Sequence, residues 1–101
     1  MPYIIEAWDK PDSQELRRTT REAHLDFLAA NAAKLLACGA KLTDEGGDGG
    51  GSLYIVDVET WAEAEAFIAE DPFSKAGLFG RRQITRWRKA FLDGKSYLPP
   101  R

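Results

Sequence analysis

Two side chains suited to moving protons stand far apart in this sequence. His24 is the single histidine, and histidine is the residue whose unperturbed pKa lets it both take and give a proton near neutral pH. It lies in Arg21-Glu22-Ala23-His24-Leu25-Asp26-Phe27-Leu28, a segment of helical character. Asp71 precedes Pro72 and Phe73, a carboxylate at the point where a second helix should stop. A carboxylate that accepts a hydrogen bond from one imidazole nitrogen fixes the tautomer and leaves the other nitrogen free to exchange a proton with a ligand. The same residues also fit a structural reading, with a histidine satisfied in an apolar core and an aspartate capping a turn. Whether the fold brings the two together decides between them.

The elements that must position them follow from the pattern. Tyr3 to Trp8 is rich in β-formers and reads as a first strand, closed by the turn cluster Asp9-Lys10-Pro11-Asp12. A helical pattern then runs to Cys38 and stops at Gly39, a good residue just past a helix end. Capping-box spacing occurs at Asp12 with Glu15 and at Thr19 with Glu22. The expected arrangement is a short turn over Ser13–Arg18 and a main helix from about Thr20. On that helix Leu28, Leu35 and Cys38 follow His24 at i+4, i+11 and i+14, so His24 points to the apolar side.

Ala40 to Thr43 reads as a short second strand, Gly46–Gly51 as a flexible hairpin loop, and Ser52 to Val58 as a third strand. Leu53 and Ile55 fall on one face of that strand, with Tyr54, Val56 and Val58 on the other. Thr60-Trp61-Ala62-Glu63 is a capping box, with Trp61, Ala64 and Ile68 at helical spacing behind it. This second helix should end near Glu70, because the residue before Pro72 is pushed out of the α region. Arg81 to Leu92 reads as a last strand in which Ile84 and Trp87 have opposite parity, so a β-bulge is expected between them. From Gly94 the chain is a tail.

The order β-α-β-β-α-β predicts a ferredoxin-like α+β subunit with an antiparallel sheet, one domain over residues 1–101 with 94–101 as its tail. Both helices lie on one side of such a sheet and run antiparallel, so the start of the first approaches the end of the second. The topology therefore predicts that His24 and Asp71 meet. Two helices cover one sheet face only. The face carrying Leu53 and Ile55 needs another cover, for which a second copy is the simplest choice, and a homodimer through the sheet face is expected.

The totals exclude several classes. The chain has 101 residues, 44% of them apolar and 30% charged, as in an ordinary globular protein. A formal net charge of −2 and a pI near 5.4 argue against generic nucleic-acid binding. Arg81, Arg82, Arg86, Arg88 and Lys89 do form a basic strand, which reads as a solvated or dimer-pairing face. Cys38 is the single cysteine, so no internal disulfide is possible and a cytoplasmic setting is expected. It is placed in the core, at the far end of the first helix from His24. No stretch approaches a membrane span, and the first residues lack the layout of a signal peptide. The glycine run is followed by neither Lys-Ser nor Lys-Thr and opens no helix, so it is not a phosphate loop. One histidine and one distant cysteine are too few for a zinc site, and no metal or cofactor is expected.

Four segments together resemble the YciI-like (YCII-related) family. They are Arg21–Leu28, Gly51-Ser52-Leu53-Tyr54-Ile55-Val56, Asp71-Pro72-Phe73-Ser74-Lys75-Ala76-Gly77-Leu78-Phe79 and Ile84-Thr85-Arg86-Trp87. The Gly46–Gly51 loop and the Pro-rich tail look less typical of it. The resemblance implies a dimeric α+β barrel and a His–Asp site that maps onto His24 and Asp71. It also implies proton-transfer chemistry of isomerase, lyase or dehydrochlorinase type on a cyclic or aromatic acid. On this reading Ser52 joins the pocket, Phe73 and Trp87 form apolar walls, and Arg21 or Arg86 holds a substrate carboxylate. The alternative is a non-catalytic dimer that binds a metabolite or a protein partner through the same cleft.

Overall fold

Along β1 (Tyr3–Asp9), Tyr3, Ile5 and Ala7 are buried and the residues between them half-buried, the alternation of a strand with one covered face. The computed structural model describes residues 1–101. After β1 come α1 (Gln14–Ala30), a 3-10 turn (Ala32–Lys34), β2 (Leu35–Leu42), β3 (Asp48–Val56), α2 (Trp61–Glu70), α3 (Pro72–Lys75) and β4 (Phe79–Arg86). A small hairpin of β5 (Phe91–Leu92) and β6 (Lys95–Ser96) follows, so the segment from Gly94 begins in paired structure. The four long strands form an antiparallel sheet in the order β2-β3-β1-β4, with helices on one face, the ferredoxin-like α+β fold.

Register places Ile5 between Tyr54 and Ile84, and Ala7 between Ser52 and Arg82, all on the helix-covered face. Tyr3, Ile5, Tyr54 and Val56 build the core there with Ala64, Phe67 and Ile68 of α2, and Phe27 and Leu28 of α1 pack against it. On the open face lie Ile4, Trp8, Leu53 and Ile55, none of them fully buried.

Several elements depart from the sequence reading. The first helix is one unit starting at Gln14: Asp12, at φ 58°, turns the chain, and the Ser13 carbonyl accepts from the Arg17 amide at 2.9 Å. It stops at Ala30, where the Asn31 side chain donates to the Phe27 carbonyl at 2.9 Å. Leu35 to Cys38, expected in the helix, belong to β2, where Cys38 pairs with Tyr54 and Ala40 with Ser52. The apolar spacing of these residues suits a helix, but the nine-residue β3 needs a partner strand, and that pairing overrides local propensity.

The glycine run is only partly a loop, since β3 already starts at Asp48. Gly51 is required inside that strand, because a Cβ there would sit 2.5 Å from the Ala7 carbonyl oxygen and 2.8 Å from Lys41 Cδ. The last strand runs from Phe79 to Arg86, earlier than expected, and Trp87 only donates its amide to the Pro2 carbonyl at 2.9 Å. No bulge separates Ile84 from Trp87. The irregularity lies between Trp8 and Asp9, opposite Arg81 and Phe79.

Candidate active site

Asp71 is the hub of the site, and its placement is local chemistry. The capping box at Thr60 opens α2, with the Glu63 amide donating to Thr60 Oγ1 at 3.1 Å. That helix must stop before Pro72, and Asp71 takes an extended backbone that ends α2 and starts α3. As the N-cap of α3 it accepts from the Phe73 amide at 2.9 Å, with Pro72 in the first turn, where its missing N–H costs nothing.

Two further donors converge on the same carboxylate. Tyr54 Oη donates to Oδ2 at 2.6 Å, and His24 Nδ1 lies 2.9 Å from both oxygens. Asp71 is fully buried and His24 almost so. Burial first, then the charge and hydrogen bond of Asp71, push the Tyr54 phenol far above its ordinary range, so Tyr54 stays a neutral donor. A carboxylate only accepts, so the proton between His24 and Asp71 sits on Nδ1. Nε2 of neutral His24 then carries a lone pair. It has no protein partner, yet Ser74 Oγ is the one sealed side-chain polar atom without one, so Nε2 reaches solvent.

A second set of side chains is wired to the first through Phe73. The His24 ring stacks on Phe73 with centroids 3.9 Å apart and planes 15° apart. Arg17, two turns earlier on α1, has its guanidinium over the same ring, 4.7 Å from the centroid. Arg17 Nε and Nη2 donate to Asp9 at 2.7 and 3.1 Å, and Nη2 donates to Ser52 Oγ at 2.8 Å. Burial opposes the Arg17 charge, but the hydrogen bond and attraction of Asp9, together with the charge of Asp48, hold its pKa above the ordinary value.

Of the residues named from sequence, His24, Asp71, Ser52 and Phe73 come together here. Arg21 is exposed on α1, one turn from both Arg17 and His24. Arg86 and Trp87 do not join them. Arg86 faces Tyr3, its guanidinium 5.6 Å from that ring, while Ser52 faces Ala7, four residues or about 13 Å along β1. The register of β4 brings Arg82 level with Ser52, and Arg82 lies 3.7 Å from Glu65.

Cys38 is not a core residue at the far end of a helix. It is exposed on β2 beside Tyr54, and the surrounding protein, with the charge of Asp71, pushes its thiol up to about 11. The sequence reading missed Arg17, Asp9 and Tyr54. Arg17 stands at i−7 from His24 and shares its helix face, a signal hidden by starting the helix at Thr20. Tyr54 stands at i+2 from Ser52, which puts both on one strand face.

An antiparallel four-stranded sheet with helices on one side places the protein among ferredoxin-like α+β proteins, here with a buried His24–Asp71 pair. The YCII-related domain model matches residues 1–88, and the chain belongs to the YCII-related, or YciI-like, family. It is 33% identical over 98 residues to protein YciI of Escherichia coli O6:H1, covering 90% of this chain and all of that one. An uncharacterized protein of Haemophilus influenzae matches with the same identity and coverage. Among solved structures, 5-chloro-2-hydroxyhydroquinone dehydrochlorinase (TftG) from Burkholderia phenoliruptrix, in complex with 2,5-dihydroxybenzoquinone, superposes with a TM-score of 0.81. It is 36% identical, with 87% of this chain and 94% of that one covered. No helix is long and apolar enough to cross a membrane.

Proposed function

We propose that this protein transfers a proton on a small cyclic or aromatic acid, with His24 as general acid/base and Asp71 as its orienting partner. The observation that carries the reading is the convergence of three donors on Asp71, which holds Nδ1–H inward and leaves the Nε2 lone pair towards solvent. Similarity to a dehydrochlorinase over nearly the whole chain supports it.

His24 Nε2 removes a proton from a saturated carbon of the substrate, and the released electron pair forms a new π bond as an adjacent π bond shifts or chloride departs. The imidazolium so formed is stabilised by the Asp71 carboxylate 2.9 Å away. In an isomerisation the proton returns at another carbon. In a dehydrochlorination the π bond expels chloride with its electron pair, and the proton leaves to water. Phe73 supplies a flat wall beside the imidazole, and Ser52 lies within the same cluster. No cofactor is needed for these steps.

The test is His24→Ala against 5-chloro-2-hydroxyhydroquinone and a panel of ring acids, followed by chloride release and by exchange of ring protons in deuterated water. Turnover should fall by about 10²- to 10⁴-fold with the fold retained, the range for loss of a general acid/base. Ligand binding without turnover in the wild type refutes the enzyme reading and leaves a binding module.

We further propose a homodimer through the open sheet face, where Leu53 is 40% exposed beside Ile4, Ile55 and Trp8. Leu53→Glu should convert a dimer in sedimentation to a folded monomer, and a wild-type monomer at high micromolar concentration rejects this assembly.

A further inference from the structure

Arg17 is held more firmly than the His24–Asp71 pair requires. Its guanidinium is anchored on three sides, by Asp9, by Ser52 and by the face of Phe73. These contacts use Nε–H and both N–H groups of Nη2. The two N–H groups of Nη1 have no acceptor in the protein, and they are not sealed in, since Ser74 Oγ is the one sealed polar atom without a partner. Nη1 is therefore a fixed cationic donor with open hydrogen-bonding capacity.

A crevice of about 350 Å³ between α1 and β2 runs beside it, walled by Arg17, Arg18, Arg21, Lys41 and Leu42, with Asp48 its single carboxylate. Arg18 is paired with Glu15 and Lys41 with Glu6. Arg21 has no carboxylate partner, and it stands one helical turn from both Arg17 and His24. Two unspent cationic groups thus line one crevice, on the helix that also carries the candidate base. A guanidinium already fixed by its neighbours loses little side-chain freedom on binding and needs little reorganisation as charge develops.

We propose that Arg17 Nη1, assisted by Arg21, holds an ionised oxygen of the substrate, a carboxylate or phenolate on a single planar ring. The proposal rests on the proton-transfer reading of His24. When Nε2 takes a proton from a saturated ring carbon, the released pair forms a ring π bond as an existing π bond shifts or chloride leaves, and the ionised oxygen stays held at Arg17. The new imidazolium then faces Asp71 and the anionic oxygen of the substrate faces Arg17, each against a fixed counter-charge.

Benzoate and benzamide share a ring and a size and differ in charge, so they separate ionic recognition from apolar filling. In an NMR titration of the wild type, benzoate should bind saturably and move the Arg17 Nε–H signal and the amides of residues 17–24. Benzamide should bind at least about tenfold more weakly, the difference expected of a charge-assisted contact. Arg21→Gln should weaken benzoate about threefold, as an exposed charge does. Arg17→Lys should weaken it about tenfold or more, because an ammonium cannot serve Asp9, Ser52 and a ligand in one plane.

Equal binding of the two probes, or no saturable benzoate shift below about 10 mM, overturns the assignment. If Arg17→Lys does not fold, the wild-type titration and Arg21→Gln still decide it. His24→Gln separates the two proposals. Wild-type benzoate affinity with lost turnover supports both, whereas retained turnover overturns the acid/base role of His24 and leaves the anion site standing.

Discussion

Replacing Asp71 with asparagine keeps the shape of the hub and removes its charge. The carboxylate accepts from the Phe73 amide, the Tyr54 hydroxyl and His24 Nδ1. Hydrogen bonds to an ionised group contribute about 1.5–3 kcal/mol each, against about 1 kcal/mol for neutral pairs. The asparagine carbonyl can still accept from Phe73, at a loss of about 1 kcal/mol. The new amide nitrogen then takes the place of Oδ2, 2.6 Å from Tyr54 Oη, where two donors meet at a distance too short for N–H···O. Turning the hydroxyl and relaxing that contact adds about 1–2 kcal/mol. Relief of a buried charge offsets part of the sum.

The expected net loss for Asp71→Asn is about 2–4 kcal/mol at pH 7. For a chain of this size that is at least about 10 °C in Tm. Urea unfolding followed by circular dichroism, at one protein concentration and with unchanged m value, measures it. Imidazole ¹⁵N shifts on the same samples report the tautomer, for which the asparagine offers Nδ1 both a carbonyl acceptor at the Oδ1 position and a competing N–H at the Oδ2 position. A loss under about 0.5 kcal/mol would falsify the assignment of Asp71 as the charged hub.

Tyr54→Phe removes a single donor from that hub and leaves the ring in place. Stability should fall by about 1.5–3 kcal/mol while the His24 tautomer stays as it is, and an unaltered urea midpoint counts against the hydroxyl's role. Cys38 should react slowly although it is exposed. Raising its pKa from 9.0 to about 11 cuts the thiolate at pH 8 about 100-fold, and the greater nucleophilicity of a more basic thiolate recovers about tenfold. At pH 8 iodoacetamide should therefore label the native chain about tenfold more slowly than the denatured one, with the gap closing near about pH 10. Equal rates at about pH 8 would remove the case for a shifted thiol. The sign for stability follows: the folded chain keeps this proton longer than the unfolded one. The contribution is full below the ordinary pKa of the thiol and is lost as pH rises through about 11.

Much of the fold was legible because some segments carry redundant signals. At α2 the capping box, the helical spacing and Pro72 all agree, and the element runs from Trp61 to Glu70 as expected. The meeting of His24 with Asp71 followed from topology alone, since the βαββαβ order sets which helix ends are neighbours. Leu35–Cys38 misled because alanine and leucine at helical spacing describe a helix well, and only the unpaired edge of β3 demands a strand there. Gly49 and Gly51 read as a loop, since glycine is a poor strand former and the neighbouring backbone that requires it cannot be read from local sequence. The Arg17 anchors were invisible for a related reason. Asp9 and Ser52 come from two different strands, and only register makes them neighbours of one guanidinium.

Asp71 ends one helix, begins the next and receives the histidine. This double duty has an evolutionary consequence. Selection for a stable chain and selection for the proposed chemistry would act on the same carboxylate, so it would persist if that chemistry were lost. His24 and Arg17 share that protection only in part, since Nδ1 and the Asp9 and Ser52 contacts serve the fold while Nε2 and Nη1 have no partner in the protein. Should the proposed activity be lost, positions 24 and 17 should first admit replacements that keep only these inward contacts, with the aspartate still in place.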